Sequence, residues 1–132
     1  MSDEGLITVA SRYPVGVTVE RLESAIKGSG LLVFARIDHG TNALEVQLPL
    51  RPTFLLIFGH PKGGTPLMME NQVSGIDLPF KALVWEDEKG QTWITYNDPA
   101  WLAARHQLGS ASQATVLAIQ AGMTRLIALS TE

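Results

Sequence analysis

The stretch Thr53–Gly59 constrains this chain more than any other, because Phe54, Leu55, Leu56, Ile57 and Phe58 follow one another without a polar break. A strand with one face in water alternates apolar and polar residues. A short continuous apolar run bounded by Pro52 and Gly59 instead marks a strand in the middle of a sheet, or one covered on both faces. The turn that follows, Gly59-His60-Pro61-Lys62-Gly63-Gly64, is rich in glycine and proline. Thr65-Pro66 then reads as a helix start, with Pro66 at the first position, where its missing N–H costs nothing. This second helix is expected over residues 65–73. A strand that hands over to a helix through such a turn gathers backbone N–H groups and side chains about one point.

The flanking segments give the rest of the architecture. Leu6 to Arg12 reads as a first strand ended by Pro14 and Gly16. Thr18 is the expected N-cap of a helix whose apolar face carries Val19, Leu22, Ala25 and Ile26, and Gly28 and Gly30 end it. Leu31 to Asp38 is a strand. Residues 39–52 show no sustained period, with room for a helical turn at Asn42 to Val46. Phe80 to Glu86 and Thr92 to Asn97 form a hairpin closed around Asp87-Glu88-Lys89-Gly90. Asp98-Pro99 opens a helix by cap and N1 proline, running to about His106. Gly109 breaks it, and a last helix runs from Ser112 to near Leu129. Repeats, linkers and low-complexity tracts are absent, so residues 1–132 are read as one domain. The order β-α-β-β-(α)-β-β-α-α describes an α+β fold: two layers, a mainly antiparallel sheet of about five strands, and helices on one face.

Composition excludes several function classes. The 132 residues carry 45% apolar and 17% charged residues, the profile of a globular chain with a core. Ten Lys+Arg stand against 13 Asp+Glu, for a net charge of −3, and no basic stripe exists to displace counterions from nucleic acid. The chain has no cysteine, so disulfides, thiolate metal ligands and cysteine nucleophiles are out. The start MSDEGLITV has acidic residues where a signal peptide has positive ones, and Ser2 stands where myristoylation needs glycine. A soluble, cytoplasmic protein is expected, with neither nucleic acid nor membrane as partner and no cofactor.

The corner at residues 59–66 is the one place where polar groups gather. Free N–H groups of Gly63, Gly64 and Thr65 at the positive end of a helix, the Lys62 charge and the His60 ring would suit a small anion or carboxylate, with Tyr96 or His106 closing the far side. Gly59 and Gly64 have the glycine spacing of a phosphate loop. Thr65-Pro66 stands where that loop needs Lys-Ser/Thr, which disfavours a nucleotide triphosphatase. The competing reading is a tight strand-to-helix corner and nothing more.

An enzyme using His60 or His106 as general base is a separate possibility, and it requires one of them in a pocket near Asp98, Glu70 or Tyr96. His39, His60 and His106 lack the spacing of metal ligands, so no metal site is expected. Asp98 beside Tyr96 could act as a base, but its role as helix cap accounts for it. Glu86-Asp87-Glu88 reads as a solvated charge run. Trp85 and Trp93 read as a cross-strand pair or core.

The last helix is apolar nearly all round, with Arg125 its only charge before Glu132. Such a helix is covered on more than one side. One sheet covers one side only, so a second subunit is expected on the other, giving a homodimer through this helix. Gln113, Gln120 and Thr124 speak against a membrane span.

Three motifs in order, FGHPKGGTPLM (Phe58 to Met68), LPFKALVWED (Leu78 to Asp87) and TYNDPAWLAARHQL (Thr95 to Leu108), resemble the bacterial and archaeal domain-of-unknown-function family 302. The resemblance covers nearly all of the chain up to about residue 108. It implies a two-layer α+β fold grouped with the TATA-binding-protein-like folds, with element order β-α-β4-α; the helix after Thr65 is then an insertion. It also implies a soluble, often dimeric domain, and it brings no activity, substrate or catalytic residue. One departure stands out: the family usually has Asn before the Pro-Lys of the first motif, where this chain has His60.

Overall fold

The computed structural model describes residues 2–132, with side chains from Glu4 onward. In chain order the elements are β1 (Ser2–Asp3), β2 (Leu6–Ser11), α1 (Val15–Gly28), β3 (Leu32–Asp38), α2 (His39–Glu45) and β4 (Thr53–Gly59). There follow α3 (Pro61–Glu70), a 3₁₀ helix (Gln72–Asp77), β5 (Phe80–Glu86), β6 (Thr92–Asn97), α4 (Pro99–Arg105) and α5 (Gln113–Thr131). All strands pair antiparallel in one open sheet of order β1-β2-β6-β5-β4-β3. The expected sheet of about five strands is present, with the two-residue β1 as a short sixth strand on its edge.

The helices that build the core lie on one face. Val15, Val19, Leu22 and Ile26 of α1 meet Met123, Leu126 and Ile127 of α5 over a floor of Leu56, Phe58, Ala82, Val84, Ile94 and Tyr96. β4, β5 and β6 each send alternate residues to this floor, so the register fixes which side chains are covered. The run Phe54 to Phe58 is central, as read, with β3 on one side and β5 on the other. The hairpin β5–β6 has the expected limits, because Asp87-Glu88-Lys89-Gly90 supplies a turn with Gly90 at φ 83°.

Asp87 is more than a solvated charge. Its carboxylate accepts from the N–H groups of Lys89 and Gln91, each at 2.9 Å, and from the Trp93 indole at 2.8 Å. The Trp93 indole N–H holds the Asp87 carboxyl below its usual range, and the two backbone donors act in the same direction.

Two helix starts differ from expectation for physical reasons. α1 begins at Val15, not after Thr18, because Pro14 in extended backbone serves as its N-cap residue and the chain enters the helix at once. Thr18 is buried inside the helix, where its hydroxyl lies 2.7 Å from that of Ser11 and donates to the Tyr13 carbonyl. α3 begins at Pro61, not Thr65, so Pro66 lies inside the helix and Pro61 takes the first position.

Among the described residues no helix covers the opposite face of the sheet. Ala35, Ile37, Leu55, Ile57, Leu83, Trp85 and Trp93 lie there by register, all partly exposed. Trp85 and Trp93 stand directly opposite each other and stack with centroids 6.4 Å apart, which settles their cross-strand pairing and places them outside the core. A bulge between Val33 and Ala35 turns Phe34 outward and Arg36 toward α1, where it pairs with Glu20 at 2.7 Å and Glu23 at 3.2 Å.

Candidate functional site

His60 shapes the corner that the sequence marks. Its backbone is extended, and its ring Nδ1 accepts from the Lys62 N–H at 3.1 Å, capping α3. An accepting Nδ1 leaves the proton of the neutral ring on Nε2, which is then free to donate. The His60 carbonyl takes the next two donors, from Gly63 at 2.9 Å and Gly64 at 3.2 Å. The expected free N–H groups at Gly63 and Gly64 are therefore spent inside the first turn of α3. That is a correction to the anion nest read from the sequence. What the corner offers a ligand is side chains and an approach unobstructed by Cβ atoms.

The corner forms one wall of a cleft of about 660 Å³. Phe58, Gly59, His60, Lys62, Gly63 and Gly64 line one side, and Thr115, Ala118, Gly122 and Arg125 of α5 line the other. The floor is apolar, with Phe58, Phe80, Ile119, Met123 and Leu126, and the turn after α1 at Ser29–Leu31 closes one end. Among the described residues the ionisable lining is His60, Lys62 and Arg125, with no carboxylate. Among the described residues neither Lys62 nor Arg125 forms an ion pair. Two cations without a local counter-charge, beside a ring that can donate, give the cleft a positive mouth.

The other expected site residues lie elsewhere. Thr65 is exposed on α3 and outside the cleft. Tyr96 points into the core between sheet and helices, and burial pushes its phenol above the usual tyrosine value. His106 is buried at the end of α4, where Nε2 lies 2.5 Å from Asp77, whose carboxylate also holds Arg105 at 3.0 Å. Its backbone carbonyl accepts from the Asn71 amide at 2.8 Å. His106 thus knits α4 to the 3₁₀ helix, away from the cleft.

The general-base reading required a pocketed histidine close to Asp98, Glu70 or Tyr96. His60 lines the cleft without any of them, and His106 is paired to Asp77 instead. Asp98 caps α4 through the Ala100 N–H and also accepts from the Gln120 amide at 3.3 Å. Glu70 fixes the loop before α5, accepting from the Ser112 hydroxyl at 2.6 Å and the Gly109 N–H at 2.7 Å. Among the described residues no group of three or more histidine or acidic side chains is placed to hold a metal ion.

Arg125 and Gly122 are the site residues that sequence reading passed over. Arg125 carried a signal, as the lone charge of an apolar helix. Its meeting with Lys62 is non-local and had none.

A one-sided antiparallel sheet, with a cationic cleft between its β4 end and the last helix, defines the class as a two-layer α+β domain. The chain belongs to the family described as Domain of unknown function DUF302, which matches residues 7–128. The crystal structure of an uncharacterized conserved DUF302 protein from Bacillus stearothermophilus superposes with a TM-score of 0.83 at 23% identity, covering 96% of this chain and 98% of that one. It shares the fold.

Curated relatives named "Fluoride-specific ion channel FluC 1" occur in Brucella suis and Brucella abortus. Each is 50% identical over 120 residues, or 91% of this chain, but the match takes in only 47% and 44% of the relatives. The chain therefore spans less than half the length of the curated relatives it matches. Among the described residues one helix, α5, is long and apolar enough to cross a membrane; here it packs Val116, Met123, Leu126 and Ile127 inward.

Proposed function

We propose that this protein is a soluble, cytoplasmic binding module for a small anion, held in the cleft between the β4–α3 corner and α5. The observation that carries the reading is the lining: His60, Lys62 and Arg125 with no carboxylate among them. An anion there gains charge-assisted hydrogen bonds, with no carboxylate of the described lining competing for the two cations.

A ligand that binds only the folded state stabilises it by about 2.7 kcal/mol at a hundredfold excess over Kd. Thermal unfolding against a panel of anions should show such a shift. Lys62→Ala and Arg125→Ala should each reduce it. A shift that survives both substitutions removes the cleft from the account.

Self-association is the second reading, favoured by two uncovered apolar faces. On α5 the outward residues include Leu117 at 58% and Leu129 at 50% exposure. A partner seated there would also cover the cleft, since Ala118, Gly122 and Arg125 belong to both. The outer sheet face is free of that conflict and is more continuously apolar, so a second copy of this chain fits it better, apolar face on identical face. Light scattering on Leu83→Lys should give a monomer where the wild type is a dimer, and Leu117→Lys should leave the dimer intact. The reverse pattern would return the interface to α5.

A further inference from the structure

We infer that the cleft takes an organic monoanion with an apolar body, an aryl or medium-chain acyl carboxylate, and not a bare inorganic ion or a polyol phosphate. The inference rests on the anion-binding reading of the same cleft and narrows its ligand.

Size decides first. Clefts that hold drug-sized molecules run from about 300 to 1,000 Å³, and this one is about 660 Å³. A fluoride, chloride or phosphate ion at the mouth would leave most of that space filled with water against Phe58, Phe80, Ile119, Met123 and Leu126. Burying an apolar group on that floor instead is worth about 25 cal/mol per Å² removed from water.

The distribution of polar groups decides next. They belong to the more exposed residues of the lining, Lys62, Arg125 and His60, whereas Phe58, Met123 and Leu126 are buried, so the charge lies toward the rim and the apolar groups toward the floor. Apart from these, the side-chain hydroxyls lining the cleft are those of Ser29 and Thr115. A sugar or nucleotide buried on such a floor would leave its hydroxyls and ring nitrogens without partners, at about 1–3 kcal/mol for each unsatisfied group. A carboxylate at the rim with a hydrocarbon body beneath it leaves none.

Gly122 gives an independent indication. It stands in the interior of α5, where glycine is less favourable than alanine by about 1 kcal/mol. A Cβ built there meets nothing within 4 Å, so packing against the protein does not explain the glycine. It lines the cleft, and a side chain there would occupy ligand space.

Calorimetric titration of the full chain with octanoate, 1-octanol, inorganic phosphate and sodium fluoride tests the inference. Octanoate should bind, octanol at least tenfold more weakly, and phosphate and fluoride should give no heat. Lys62→Ala with Arg125→Ala should bring octanoate down to the level of octanol. Gly122→Leu should abolish octanoate binding while its unfolding midpoint stays at or above that of the wild type. Binding of phosphate or fluoride without octanoate would overturn the ligand class and leave the anion reading standing. No binding by any of the three anions would overturn both. Octanoate binding unchanged in Gly122→Leu would place the fatty acid outside the cleft and sink the inference.

Discussion

His60 serves two structures with one ring: Nδ1 closes the N-terminus of α3, and the ring lines the cleft. The two roles separate by substitution. Asparagine is a good N-cap, so His60→Asn should keep stability within about 0.5 kcal/mol, and His60→Ala should lose about 1 kcal/mol, read as the midpoint of urea unfolding. Equal loss in both would mean that the cap is not what the ring contributes. Gly122 is the converse case, a residue whose substitution should improve the fold. Gly122→Ala should stabilise by about 0.5–1 kcal/mol, because the helix gains propensity and the new methyl group meets open space. A loss of stability would show that the surroundings of α5 are tighter than described.

At the scale of elements, α5 is tied at both ends. Glu70 holds the loop before it, and the Arg12 N–H donates to the Thr131 carbonyl at 3.0 Å near its end. The Ser112 hydroxyl first, and the Gly109 N–H next, hold the Glu70 carboxyl below its usual range. A carboxyl depressed in the folded state contributes stability that is present above its unfolded value, about 4.3, and lost as pH falls through the folded value. Glu70→Gln should therefore flatten the acid limb of a stability–pH profile below about pH 4.3, with little change in its slope near neutrality. An unaltered acid limb would show that Glu70 contributes nothing there.

Local signals account for what was legible among these elements. The β5–β6 hairpin, β4 and the start of α4 followed from a turn sequence, an apolar run and an Asp-Pro cap. The starts of α1 and α3 were not legible. In α3, Gly63-Gly64 are poor helix formers and Pro66 carries the start signal more strongly than Pro61. The His60 ring, which accepts from the Lys62 N–H, and the His60 carbonyl, which accepts from Gly63 and Gly64, set the start at Pro61 instead. The corner wall of the cleft could be read in advance because strand, turn and helix are consecutive. The α5 wall could not, because only tertiary folding brings Arg125 and Gly122 opposite Lys62.

For the molecule as a whole, stability rests on one layer contact, α1 and α5 against the sheet. Leu22 and Leu56 are fully buried on its two sides. Leu22→Ala or Leu56→Ala should each cost about 2–5 kcal/mol in chemical unfolding. A smaller loss would mean that the site collapses around the cavity. The other layer contact, on the outer sheet face, is missing among the described residues, so the proposed pairing of two copies through that face would supply the layer the chain itself lacks.

The strand order has one more consequence. β3, β4, β5 and β6 are consecutive in sequence and adjacent in the sheet, whereas β2 pairs only with β6 and β1, from Leu6 opposite Asn97 to Ser11 opposite Thr92. On the ribosome β2 is made well before its main partner: the strand waits for β6 to emerge, while α1 can settle on β3, β4 and β5 before α5 covers its other side. Until then Val19, Leu22 and Ile26 have no second helix to cover them. β2 therefore keeps a long unpaired edge until β6 arrives, and an open edge of that kind is where a growing chain misassembles.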